Sequence, residues 1–195
     1  GFAEPAILAK LDRLESLSFG YGAITKNPVS IFQLTNLIEL EIDACWIEEN
    51  QTPLTIPEEL GRMTKLQRLS FADCKNIRLP NSLWTLTNLE SLNLNYTLME
   101  EISDALRNLT RLTSLDIGYN NLETPPAVIR GLTNLQTLEI GGNPFIKDPV
   151  MFDELTSWFL PNVQITTTEY FVQNPDEPFI EPAQQIFHGT HGVDQ

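Results

Sequence analysis

The sequence predicts an α/β solenoid, a coil in which each turn adds one strand to a parallel sheet and returns through a short helical segment. Three observations carry this expectation. Versions of the pattern L-x-x-L-x-L-x-x-N-x-L start at Leu14, Leu37, Leu66, Leu89, Leu112 and Leu135, at intervals of 23, 29, 23, 23 and 23 residues. A proline-led apolar pattern recurs in phase with it. The chain has 195 residues and 42% hydrophobic content, enough for one continuous core, and a fixed period in this range marks stacked supersecondary units.

The strand comes first in each repeat. In the clearest copy, Leu112-Thr113-Ser114-Leu115-Asp116-Ile117-Gly118-Tyr119-Asn120-Asn121-Leu122, Leu115 and Ile117 alternate with Asp116 as a half-buried strand requires. Strands are expected to centre on Leu17, Leu40, Leu69, Leu92, Leu115 and Leu138. One such strand cannot bury its apolar side alone, so successive repeats must stack. The ninth position turns the chain back into the interior, where backbone groups need partners. Asn120 and Asn143 can supply donor and acceptor from one amide; Gly22, Cys45, Cys74 and Thr97 hold the position elsewhere.

The return segment follows. Pro28, Pro57, Pro80, Pro126 and Pro149 recur in phase, and Ser103 takes the place in the fourth repeat. Three residues after each comes an apolar side chain (Ile31, Leu60, Leu83, Leu106, Ile129, Phe152), and three further on another (Leu34, Met63, Leu86, Leu109, Leu132, Leu155). Proline suits the first turn of a helix, and the spacing of three suits a short helix or 3₁₀ segment.

These two half-patterns resemble the leucine-rich repeat family, in its short, 23-residue form found in bacterial and intracellular proteins. The resemblance implies a right-handed horseshoe with a concave parallel sheet and short convex helices or 3₁₀ turns. The ninth-position asparagine ladder of the family is mixed here. Family members often place a small buried cysteine at that position, so Cys45 and Cys74 are expected as buried neighbours with thiols. Strand spacing brings them roughly 5 Å apart, but side chains stacked in parallel rarely reach a disulfide torsion. The cysteine-rich caps of many secreted animal members are absent, which points away from an animal receptor.

Residues 1–165 are expected to form the repeat domain, opening mid-repeat with Pro5, Leu8 and Leu11 at convex positions and closing on a degenerate strand around Leu160, Val163 and Ile165. Phe152, Trp158 and Phe159 are large enough to cover the last open face. Residues 166–195 form a Pro-rich tail, expected to pack on the last repeats through Phe171, Phe179, Ile180, Ile186 and Phe187.

The formal charge is −14, from 26 acidic and 12 basic residues. That argues against nucleic acid, which needs clustered Lys and Arg, and fits either a partner with a basic surface or solubility alone. No apolar run is long enough for a transmembrane helix, and a monomer is expected. The compartment stays open between bacterial cytoplasm and a secreted or cell-surface location with its leader removed.

The third, fifth, seventh and eighth positions of each strand are expected to face outward on the concave side. They bring together Tyr21, Glu39, Glu41, Asp43, Arg68, Asp73, Asn93, Tyr96, Asp116, Tyr119 and Glu139, an acidic face with Tyr96 and Tyr119 as stacked neighbours and Tyr21 on the same row. Asp116 and Glu139 share a column on adjacent strands, where like charges oppose. Exposed tyrosines offer large contact area at little rotamer entropy. Tyrosine also suits strands, and acids keep an exposed sheet soluble. The same carboxylates are poor calcium ligands, because strands lack convergent loop geometry. The six-residue expansion of the second repeat, within Glu48–Leu54, is either a functional loop or a tolerated insertion.

No nucleophile elbow, Walker loop or His-Glu-x-x-His motif appears, and neither enzyme activity, metal nor cofactor is expected. His188, His191 and Asp194 lie among glycines that disfavour an aligned metal site. The expected function is protein–protein recognition through the acidic, tyrosine-bearing concave face; the alternative is the recognition domain of a larger bacterial effector or surface protein.

Overall fold

The computed structural model describes residues 11–23, 29–46, 54–159, 163–167 and 186–187; the side chains of 21–23, 29, 45–46 and 186–187 lie outside that description, as do Pro5, Leu8, residues 47–53, and His188, His191 and Asp194. One sheet runs in sequence order through β1 (Ser16–Ala23), β2 (Glu39–Trp46), β3 (Arg68–Ser70), β4 (Ser91–Asn93), β5 (Ser114–Asp116), β6 (Thr137–Glu139), β7 (Gln164–Thr166) and β8 (Ile186–Phe187). The first seven are parallel. Their register runs through Leu17, Leu40, Leu69, Leu92, Leu115, Leu138 and Ile165, each opposite the next. β8 pairs antiparallel with β7, placing Phe187 opposite Ile165.

Side-chain burial enforces this register. Leu40, Leu69, Leu92, Leu115 and Leu138 are buried, as are Ile42, Phe71, Leu94, Ile117 and Ile140 two residues on. A slip of one residue would turn that entire set to solvent. The first leucines of the pattern, Leu37, Leu66, Leu89, Leu112 and Leu135, are buried below them.

The return segments are 3₁₀ turns: Val29–Gln33, Glu58–Arg62, Asn81–Thr85, Asp104–Asn108 and Ala127–Gly131. Pro57, Pro80 and Pro126 sit one residue earlier than the first helical position, at the N-cap, with extended backbone. Their fixed φ suits that entry. Ser103 does the same work by hydrogen bonding, its hydroxyl accepting from the Ala105 N–H at 3.2 Å. Glu58 ties neighbouring turns together by accepting from the N–H groups of Asn81 and Ser82 at 3.2 and 3.0 Å. Those bonds hold its carboxyl below the usual range. Strands pack about 4.8 Å apart while helical segments need more room, so the sheet takes the concave side.

Leu54 and Ile56, at the end of the second-repeat expansion, are buried, and Thr55 bridges to Arg78 in parallel fashion. The far end carries the one α-helix among the described residues, α1 (Pro149–Ser157). Asp148 caps it, accepting from Val150 and Met151 N–H at 2.9 and 3.4 Å, and Pro149 takes the first helical position. Leu155 is buried, and Phe152, Trp158 and Phe159 pack against the core. The Arg130 guanidinium lies 4.1 Å over the Trp158 ring and pairs with Glu154 at 2.9 Å.

The interior ninth-position ladder works despite its mixed composition. Asn120 Oδ1 accepts from the Thr97 N–H, the Thr97 hydroxyl and the Met99 N–H at 3.1, 2.9 and 3.0 Å. Its Nδ2 donates to the Leu94, Ile117 and Gly118 carbonyls at 2.9, 3.0 and 3.1 Å. Asn143 repeats the scheme onto Ile117, Ile140 and Leu122. Cys74 keeps one strut: its buried thiol donates to the Ile42 carbonyl at 2.9 Å, just as the two asparagines reach the preceding repeat. The Cys74 thiol is free and buried, as expected; the side chain of its expected neighbour, Cys45, lies outside the described residues.

Candidate functional site

The outward face separates into columns, one per pattern position. In the third column Glu39 on β2 stands opposite Arg68 on β3. Its carboxylate accepts from Arg68 Nε at 2.9 Å and from the Ser16 hydroxyl at 3.0 Å. The bond from Arg68 is the largest cause lowering the Glu39 carboxyl below its ordinary range. Arg68, the one arginine at these outward positions among the described residues, is thereby occupied, in a solvent-exposed pair that contributes under about 1 kcal/mol.

The fifth column ends the short strands. Ser70 Oγ, Asn93 Oδ1, Asp116 Oδ1 and Glu139 Oε1 each accept from the backbone N–H two residues ahead, at Ala72, Asn95, Gly118 and Gly141, over 3.4, 2.9, 3.0 and 2.9 Å. This local bond replaces a ladder bond where the chain leaves the sheet. Asn93, Asp116 and Glu139, expected as freely presented binding groups, therefore spend an acceptor on the fold. Ser70, also expected outward, is buried. Asp43 likewise accepts from the Ser70 hydroxyl and the Ala72 N–H at 2.6 and 2.9 Å. Burial pushes its carboxyl up against those bonds, with Glu41 and Asp73 adding repulsion. Glu41 itself is half-buried on β2.

Asp116 faces Glu139 directly across β5 and β6. Burial raises its carboxyl above the ordinary range, the Gly118 and Asn95 hydrogen bonds oppose that, and the Glu139 charge adds to it. The folded state thus holds the Asp116 proton more tightly than the unfolded chain. Its contribution favours folding below the ordinary Asp range and is lost as pH rises through the raised value. Asp116→Asn keeps the acceptor, as Asn93 does one repeat earlier. It is expected to stabilise the fold at neutral pH by roughly 0.5 kcal/mol, the scale of a cross-strand charge pair. Thermal melts should show the gain shrinking on acidification through the raised value toward the ordinary Asp range; a pH-independent difference would argue against this origin.

The eighth column has a backbone property that the pattern did not announce. Ala44, Asp73, Tyr96, Tyr119 and Gly142 have φ of 50, 57, 53, 52 and 72°. This left-handed turn lets the N–H groups of residues 44, 73, 96 and 119 donate to the seventh-position carbonyls of the next repeat at 2.7, 2.8, 3.0 and 2.7 Å. Glycine takes such a conformation without cost, Asp and Asn tolerate it, and bulky side chains do so only under strain of order 1 kcal/mol. Ala44 is buried rather than outward.

Tyr96 and Tyr119 are indeed neighbours, but edge to face, with centroids 6.3 Å apart and planes at 70°, not stacked in parallel. The ring quadrupoles favour that arrangement. Tyr119 lies against Gly142, where a Cβ would come within 2.5 Å of its Cδ1. Tyr96 is 39% exposed, and Lys75 Nζ sits 4.5 Å from its ring centroid and 4.0 Å from Asp73. Lys75 was not among the expected site residues; its place just past the ninth position gave no sign of this contact. Tyr21 lies on β1, and its side chain is outside the described residues.

A second ladder, also missed by the sequence reading, runs along the entry side. Asn36, Asn88 and Asn134 donate to the Asp12, Thr64 and Thr110 carbonyls at 2.6, 2.8 and 2.8 Å. Between them Lys65 and Arg111 donate to Asn36 and Asn88 at 2.7 and 2.9 Å. The recurring Thr-Asn, Thr-Lys and Thr-Arg pairs before the first leucine of the second to sixth repeats were its available signal. Among the described residues there is no group of three His, Cys, Asp or Glu side chains able to hold a metal ion. No helix among them is long and apolar enough to cross a membrane.

Residues 87–145 match the family model described as leucine rich repeat. A leucine-rich repeat protein of Leptospira interrogans is similar over 84% of this chain at 29% identity, with a TM-score of 0.70. Residues 87–145 are leucine-rich repeats, and the chain has the leucine-rich repeat fold. Internalin C2 from Listeria monocytogenes is similar over 70% of the chain at 30% identity and TM-score 0.53. A second Listeria monocytogenes internalin, at 22% identity over 70% and TM-score 0.54, shares the fold. No curated protein matches the sequence. The chain spans 39, 55 and 44% of those three structures, respectively. Leucine-rich repeat solenoids are in general binding modules, using the extended concave surface that stacking creates.

Proposed function

We propose that this leucine-rich repeat domain is a protein-recognition module that takes a partner with a basic surface on its concave face, around Tyr96 and Tyr119. The observation that carries this reading is the eighth column. The fold imposes a left-handed backbone there, glycine fills it at Gly142, and yet two consecutive repeats place tyrosine. Bulky residues held in a left-handed conformation gain nothing for the backbone, and such sites cluster where ligands bind. Tyr96 and Tyr119 share the outward positions of the sheet with Glu41, Asp43, Asp73, Asp116 and Glu139, while Arg68 is held by Glu39. The surroundings therefore favour cations. Tyr21 and Asn93 complete the proposed face.

Electrostatics of this kind act mainly on association. A partner captured on the immobilised domain is expected to associate more slowly with Glu41→Lys/Glu139→Gln, and with a weaker dependence on salt. The glutamine keeps the acceptor for Gly141, so the strand end is preserved. Stopped-flow association across a salt series checks this; identical rates and slopes would remove the acidic face from recognition. A second reading sets the same module within a longer bacterial effector or surface protein, supported by the greater length of the bacterial chains it resembles.

A further inference from the structure

We propose that the exposed ring face of Tyr96 and the Asp73 carboxylate form a subsite for a guanidinium group of the basic partner, and that Lys75 is its removable intramolecular occupant. This rests on the recognition reading above and names the group that would be recognised.

The structure already seats a cation there. Lys75 Nζ lies 4.5 Å from the Tyr96 centroid and 4.0 Å from Asp73 Oδ1. An aromatic face and a carboxylate presented together attract a cation by quadrupole and charge at once. Tyr96 has limited freedom to turn away, since its left-handed backbone is tied to the Gly118 carbonyl at 3.0 Å and its ring meets that of Tyr119 in a T-shaped contact. Tyr119 is in turn backed by Gly142. The platform is fixed before a partner arrives.

Lys75 is held less firmly. Its side chain is 49% exposed, and its contact with Asp73 is at the long limit for an ion pair, a geometry that contributes little in water. An ammonium is also strongly hydrated, whereas a guanidinium is planar, weakly hydrated, and able to stack on a ring while presenting a fork to a carboxylate. An incoming arginine can therefore displace Lys75, which returns to solvent. The cost of vacating the subsite is part of the observed affinity, as for any state that must open before binding.

The test uses a nona-arginine peptide and three proteins: wild type, Lys75→Gln and Lys147→Gln. Both substitutions remove one positive charge, but Lys147 lies on the Pro144–Lys147 turn, away from the ring. Lys75→Gln is expected to tighten binding about two- to fivefold beyond Lys147→Gln, the scale of an exposed cation–ring contact, and the excess is expected to vanish in a Tyr96→Ala background. In the wild-type protein the Lys75 ε-methylene resonances are expected upfield from the ring current and to relax on peptide addition. Equal gains for the two glutamine variants, or a gain that survives Tyr96→Ala, would overturn the proposal. If peptide binding still depends on Glu41 and Glu139 in that case, the recognition reading stands and only the subsite fails. Absence of peptide binding to both wild type and Lys75→Gln would count against both.

Discussion

Replacing Asn120 with alanine is expected to cost about 3 kcal/mol of stability. The amide sits inside the solenoid with six hydrogen bonds, but their loss is not uniform. The single proton of the Thr97 hydroxyl, within reach of both Asn120 Oδ1 and the Leu94 carbonyl, can pass wholly to Leu94, the Ile117 carbonyl keeps Asn143, and the Gly118 carbonyl keeps the Tyr96 N–H. The Thr97 and Met99 N–H groups have Asn120 Oδ1 as their acceptor. Each buried donor left unmade costs about 1–3 kcal/mol, and a small cavity adds to it. The exposed neighbour Asn121, with one long bond of 3.4 Å to Leu98, is the control and should lose under about 0.5 kcal/mol. Because repeat proteins hold together through nearest-neighbour interfaces, Asn120→Ala should also broaden the denaturant transition, decoupling the repeats on either side. A loss no larger than that of Asn121→Ala would show that the amide is not the strut described.

Tyr96→Ala with Tyr119→Ala is expected to weaken partner binding by about 2 kcal/mol for each ring, roughly thirtyfold apiece. The rings touch, so the two losses should not add; a double-mutant cycle is expected to show coupling of about 0.5 kcal/mol or more. Stability should change little. Ala44 adopts the same left-handed turn, so alanine is compatible with the backbone there, and neither tyrosine is a core residue. Titration of the captured partner, alongside thermal melts, separates the two effects. Full affinity in the double variant would move the site off this column.

How much of this was legible beforehand differs by feature. The strand register was readable because burial of Leu40, Leu69, Leu92, Leu115 and Leu138 leaves no alternative pairing, and a period of two cannot slip without exposing the core. The convex triplets were readable for the same reason, with the proline displaced by one position because its fixed φ serves entry into the turn as well as the turn itself. The ninth position was readable as an interior polar strut, and Asn120 bears that out.

The candidate site was only half written in the chain. Pattern position placed Tyr96 beside Tyr119 and Asp116 opposite Glu139, since residues one repeat apart must lie on adjacent strands. It could not say that the fifth-position acids bend back to the N–H two residues ahead, because that depends on where the sheet ends rather than on which face is apolar. Nor could it show the left-handed turn at the eighth position, which residues as different as Ala44, Asp73, Tyr119 and Gly142 all adopt. The sequence by itself determined the repeat, its register and its core, all consequences of apolar burial at fixed intervals. Only the tertiary structure decided which polar groups are spent on the fold and which ring faces a cation, because those choices depend on distances between side chains a full repeat apart.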